Sequence, residues 1–171
     1  GSEMCIRDRG LGEEHSGIAE FPLDAPVGAS IYEYLNLSDS IIDVDLTPNR
    51  GDCLSILGIA REVGFINEID ITRPDFPLLE PKLKDKQEVE LMCYDECPKY
   101  LGQVIKGIDP KVPTPIWMKE KLRRAGLRSV DPVVDVTNYV MLELGQPLHA
   151  YDFDKLEGKI SVRRSTQGEE L

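Results

Sequence analysis

The chain has 171 residues, 41% hydrophobic and 30% charged, with a formal net charge of −11 and a sequence pI near 4.7. That balance is of a soluble globular protein and argues against gripping nucleic acid by bulk electrostatics. No apolar run approaches the roughly 18–20 residues that span a bilayer, no basic start and apolar core mark a secretory leader, and the four cysteines are too sparse for a disulfide scaffold, so a reducing cytoplasm is expected.

In chain order, GSEMCIRDRG shares no periodicity with the rest of the chain, and its MCIRDR core resembles a translated sequencing adaptor. Residues 1–10, with Cys5, are therefore set apart as a non-native leader. Residues 11–33 hold short strand-like pieces punctuated by Pro22, Pro26 and Gly28, too little for a domain. In residues 34–72, SIIDVDLT predicts a strand with Ile42, Val44 and Leu46 on one face. TPNRGD turns the chain, and Asp52 is placed to cap the next helix. That helix repeats Ile56, Ile59, Val63 and Ile66 as a stripe to be buried. Gly58 within it costs about 1 kcal/mol of helix propensity against Ala, which a closely packed neighbour would explain.

Residues 73–87, with three prolines and a charge run, read as a linker. In residues 88–171, EVELMCY and YLGQVIKGI predict strands. Thr114 and Pro115 predict a cap and first turn for a helix that Gly126 ends, with Trp117 and Leu122 inward and the basic residues outward. Lys119, Lys121, Arg123, Arg124 and Arg128 form either a solvated helix face or a phosphate-facing patch. Cys93 and Cys97 form a C-x3-C pair with no second pair or His close in sequence, so no metal site is expected.

The stretch DVTNYVMLELGQPLHAYDFDKL carries the densest chemistry. Asp131-Pro132 is a start signal and Gly145 a stop signal for a helix, with a short strand after it. At about 100° per residue, Val133, Val134, Val136, Val140, Met141 and Leu144 share an arc of roughly 160°. Thr137 lies inside the arc and Asn138 at its border, while Asp135, Tyr139 and Glu143 project to the other side. A Thr hydroxyl there is satisfied by a carbonyl one turn back. An Asn amide needs more, because burying it unpaired costs on the order of 1–3 kcal/mol. Pro147 limits how the chain leaves the helix and so allows His149 to return towards it. Two readings stand: a capped helix with satisfied polar groups, or three side chains lining a small-molecule pocket. Beyond it, KISVRRSTQGEEL reads as a strand, a turn at Gln167-Gly168 and a further strand beginning at Leu171, so the chain is expected to stop inside a domain.

The runs DVDLTPNRGDCLSILGIAREV, YLGQVIKGIDPKVPTPIWMKEKLRRAGLRSVDPVVDVTNYVMLELGQPLHAYDFDKL and VRRSTQGEEL closely resemble the β chain of bacterial phenylalanyl-tRNA synthetases. The resemblance implies an α+β fold class built of small mixed α/β pieces. Residues 11–33 would end an OB-fold tRNA-binding insert, residues 34–72 complete the α+β domain around it, and residues 88–171 begin a B3/B4 tRNA-editing domain, left incomplete. It also implies a cytoplasmic heterotetramer of two α and two β chains that joins phenylalanine to tRNA(Phe) with ATP and Mg²⁺. The synthetic site lies on the α chain, so this stretch contributes tRNA binding and editing, the hydrolysis of Tyr-tRNA(Phe), and binds no cofactor itself. A pocket shaped for Phe gains little by excluding one added hydroxyl, and a second pocket supplies the missing discrimination.

By the same resemblance Thr137, Asn138 and His149 fall on editing-pocket positions. His149 would position or polarise the attacking water or the ester, Asn138 would bind substrate or water, and Thr137 would shape the wall. Further pocket groups come from later in such chains, so this stretch alone is expected to be inactive. Two departures stand out: the leading decapeptide, and Tyr151 where the family usually has Phe. The rival expectation is a non-catalytic structural or tRNA-docking module.

Overall fold

The computed structural model describes Phe21, Leu23 and residues 25–170. The expected leader at 1–10 with Cys5, most of the first strand-like pieces and the strand start at Leu171 lie outside the described residues. The chain is mixed α+β: helix α1 (Ile31–Tyr34), helix α2 (Ile56–Asn67), strand β1 (Val89–Leu91), helix α3 (Ile116–Arg124), helix α4 (Pro132–Leu144) and strand β2 (Ile160–Val162), with single 3-10 turns at Gly51–Cys53 and Phe153–Lys155. They form two compact units. The first runs to Ile71 and resumes over Pro110–Leu148; the second holds Thr72–Asp109 and the residues from His149 onward. α3 and α4 thus group with α2 rather than with the strands that flank them in sequence.

In the first unit α4 packs against both α2 and α3. Its ends obey the sequence signals. Asp131 accepts hydrogen bonds from the N–H groups of Val133 and Val134 at 2.9 and 3.0 Å, Pro132 occupies the first turn, and Gly145 closes the helix at φ 76°. A side chain at Gly145 would come within 3.0 Å of Ser55 Oγ. Ser55 is itself the cap of α2, its Oγ accepting from Gly58 N–H at 3.0 Å. The cap expected at Asp52 is thus displaced by three residues, because residues 51–53 wind a 3-10 turn first.

The α2 surface also differs from expectation. Ile56, Val63 and Ile66 are exposed, whereas Gly58 and Gly64 are the buried positions. A Cβ at Gly58 would overlap the Asp52 carbonyl, so the expected close neighbour is the helix's own entry turn. The glycines let backbone approach backbone, which a stripe rule based on side chains does not register.

In α3 the cap falls on Pro115, one residue later than expected, and has no side-chain bond. Thr114 is drawn away by Asp135. Leu122 is fully buried, as expected, with Met118 and Glu120 beside it, but Trp117 is half exposed. Gly126 ends the helix at φ 79°, with Leu127 N–H bonded to the Leu122 carbonyl at 2.9 Å. The outward placement of all the basic residues fails at Arg124, whose guanidinium donates to the Leu35 carbonyl at 2.7 Å and to Asp39 at 2.8 Å.

Ile41–Thr47 forms no strand, and Ile42 and Val44 are exposed. Residues 100–108 and 148–156 likewise carry no strand. Alternation supplies one apolar face, but a strand also needs a neighbouring strand for its N–H and C=O groups, and among the described residues none is laddered to these segments.

The second unit is built on a parallel β1–β2 pair in the register Val89↔Ile160, Glu90↔Ser161 and Leu91↔Val162. Ile160 N–H bonds the Glu88 carbonyl and Met92 N–H the Val162 carbonyl, both at 2.9 Å. Lys159 pairs with Glu90 at 2.6 Å across the ladder. Residues 70–88 carry neither helix nor strand, and the turn at Gln167-Gly168 forms as expected.

Candidate functional site

Thr137 and Asn138 occupy consecutive positions of α4 in the first unit, and His149 begins the second stretch of the second unit. The Thr137 hydroxyl donates to the Val134 carbonyl at 2.8 Å, the local satisfaction that a Thr on a helix ordinarily finds. Asn138 is half-buried, and its side-chain amide makes no hydrogen bond among the described residues. His149 is exposed, and its ring centroid lies 6.2 Å from that of Tyr151, with the planes tilted by 32°. The Tyr151 hydroxyl sits 3.5 Å from the hydroxyl of Tyr100. That contact, then burial, pushes Tyr100 up to about 12. The hydroxyl that distinguishes Tyr151 from Phe is therefore partnered.

The basic cluster divides. Arg123 donates to both carboxylate oxygens of Glu120, at 3.2 and 2.8 Å. Arg124 is held by Asp39, Glu120 and the Leu35 carbonyl. Lys119 is half-buried, and Arg128 and Lys121 are exposed. Lys121 lies 5.5 Å from the Tyr139 ring centroid and 4.0 Å from Glu143. The phosphate-facing potential expected from five clustered cations is thus reduced at Arg123 and Arg124, whose charges are met within the unit.

Two polar centres escaped the sequence reading. Asp135, expected on the solvent side of α4, is fully buried. Thr114 and Ser129 hydroxyls donate to its Oδ2, each at 2.5 Å, and Val130 N–H donates to Oδ1 at 2.9 Å. Burial alone would raise this carboxyl, but the bonds from Ser129, Thr114 and Val130 and the charge of Lys119 outweigh it and hold it below its ordinary value. The other centre is Arg50, which bonds Glu62 at 2.6 and 3.1 Å, Asp52 at 3.0 and 3.1 Å, and Cys53 Sγ at 3.0 Å. It lowers both carboxyls, while burial raises the Cys53 thiol. The ligand atoms of Asp52, Cys53 and Glu62 lie within 4.8 Å of one another. This set does not fit Mg²⁺, which requires oxygen donors in octahedral array, and the Arg50 guanidinium already neutralises both carboxylates. Cys93 and Cys97 are free thiols, joined through a Cys97 N–H to Cys93 carbonyl bond of 2.9 Å. Among the described residues no helix is long and apolar enough to cross a membrane.

The B3/4 domain family matches residues 96–171, a span that contains Thr137, Asn138 and His149. The phenylalanine-tRNA ligase beta subunit of Idiomarina loihiensis is 57% identical over 169 residues, covering 98% of this chain and 21% of that protein. That of Pseudoalteromonas translucida is 59% identical over 162 residues, covering 95% and 20%. That of Dickeya dadantii is 53% identical over 169 residues, covering 98% and 21%. The matched spans take in nearly the whole chain and about a fifth of the length of these relatives.

Proposed function

Since the chain belongs with the phenylalanine-tRNA ligase beta subunits, of whose length it spans about a fifth, we propose that it contributes part of a proofreading site. In this reading the site hydrolyses tyrosine from tRNA(Phe) within an alpha-beta heterotetramer in the cytoplasm. The intact enzyme would attach phenylalanine to tRNA(Phe) with ATP and Mg²⁺, both used at the alpha chain. The single observation that carries the proposal is the B3/4 match over 96–171, which encloses all three candidate pocket residues.

The chemistry is ester hydrolysis. Water adds to the ester carbonyl, the bond to the terminal ribose oxygen breaks, and tyrosine and a free tRNA hydroxyl leave with the two protons of water shared between them. Asn138, whose amide makes no hydrogen bond among the described residues, would hold the water or the substrate. His149 presents an exposed imidazole for orienting the water or accepting its proton, work to which histidine is suited near neutral pH. Thr137 turns its hydroxyl back to Val134, and in this reading its methyl group would shape the pocket wall.

The test uses a beta chain extended through the rest of the B3/4 domain. His149→Ala should abolish deacylation of Tyr-tRNA(Phe) while uncharged tRNA still binds. Retained hydrolysis with lost binding would instead support a non-catalytic docking module. The 171-residue chain alone should bind without hydrolysing.

A further inference from the structure

We infer that Trp117, Tyr139 and Lys121 form a stacking platform for single-stranded nucleic acid, with a base on the indole face and the neighbouring phosphate on the ammonium. Trp117 and Lys121 are four residues apart on α3 and so share one face of the helix. Tyr139 of α4 meets the indole edge-on, with centroids 5.3 Å apart and planes at 84°. The T-shaped contact fixes the indole from one side, and Trp117 remains 50% exposed. Lys121 Nζ is 3.5 Å from the Tyr139 hydroxyl and 5.5 Å from its ring centroid, so the charge rests on the ring that packs against the indole.

The acidic groups nearby, Glu143 and Asp39, compensate that charge in part. Glu143 reaches Lys121 only at 4.0 Å. Glu120, on the same helix, is committed to Arg123 and Arg124. A rigid aromatic face with a cation one helical turn away matches the base-and-phosphate repeat of a single strand, because every base has a face to stack. A net charge of −11 does not oppose this, since the binding is local to one base and one phosphate rather than a long electrostatic footprint. The choice of nucleic acid accords with the proofreading reading, but the platform does not use His149 or Asn138.

Trp117 is the only tryptophan in the chain, so its emission reports on this site alone. A short single-stranded oligoadenylate, titrated into the 171-residue chain at low salt, should quench it saturably. Anisotropy of a labelled oligoadenylate then compares variants, with circular dichroism confirming their helix content. Trp117→Leu should weaken binding roughly tenfold or more, as removal of a stacking ring does. Lys121→Ala should lower the slope of log affinity against log salt by about 0.7, one single-strand phosphate contact. His149→Ala should change neither, so failure of the platform and failure of the proofreading site are read separately. Absence of quenching, an unchanged salt slope in Lys121→Ala, or equal binding of a blunt duplex would overturn the inference.

Discussion

Replacing Asp135 with Asn asks whether a buried charge, rather than shape, locks the start of α4. The carboxylate is fully buried and receives Thr114 and Ser129 hydroxyls at 2.5 Å and Val130 N–H at 2.9 Å. Hydrogen bonds to a charged group contribute about 1.5–3 kcal/mol each. Asn keeps the volume and one acceptor but places an NH₂ among these donors. The two hydroxyls can rotate to accept from it, so the expected loss is about 1–3 kcal/mol. Asp135→Ala leaves all three donors unmatched around a void and should cost more, about 3–5 kcal/mol. Urea unfolding monitored by Trp117 emission should show lower midpoints in that order, with the slope unchanged. The pH dependence has a definite sign. The Asp135 carboxyl is held below 3.8 in the folded chain, so the unfolded chain takes up its proton first on acidification. The stabilisation is complete above about pH 4 and is lost as pH falls through the depressed folded value. Asp135→Asn should therefore flatten the acid limb of stability against pH. An Asn variant with the parent's midpoint and the parent's acid limb would refute the charge-lock reasoning.

Gly58→Ala should lower stability by about 1–3 kcal/mol despite a gain of about 1 kcal/mol in helix propensity, because its Cβ meets the Asp52 carbonyl. Circular dichroism on melting checks the sign. Gly145→Ala should cost about 1–2 kcal/mol for a left-handed φ of 76°, with added crowding against Ser55 Oγ, read as a lowered thermal midpoint. Arg50→Met should let the Glu62 carboxyl rise towards its ordinary 4.5, because the Arg50 hydrogen bond is the main cause of its depression. Carboxyl NMR titration measures that shift, and an unmoved Glu62 would contradict the arrangement.

The sequence by itself determined the helices whose ends are written in local chemistry. The Asp131 cap, Pro132 and Gly145 bracket α4, and Gly126 ends α3, because caps and left-handed glycines act within a few residues of the chain. β1 and β2 were legible as apolar runs, while their parallel register, joining residues about seventy positions apart, was not. The candidate trio Thr137, Asn138 and His149 could be picked out from residue type and resemblance, and the Thr137 hydroxyl meets the carbonyl one turn back that its place on the helix led one to expect.

Only the tertiary structure decided which face of α4 would meet α3. Hydropathy favoured the valine arc, yet Val134 and Val136 are exposed while Asp135 is buried and Tyr139 packs on Trp117. The physical reason is that a carboxylate's cost of burial depends on donors supplied by other elements, here Thr114, Ser129 and Val130, which no local pattern records. The same holds at Arg50, whose partner Glu62 lies twelve residues away, and at Arg124, whose partner Asp39 lies eighty-five away. Charges read as a solvated face became internal ties once the fold brought their counter-ions to them.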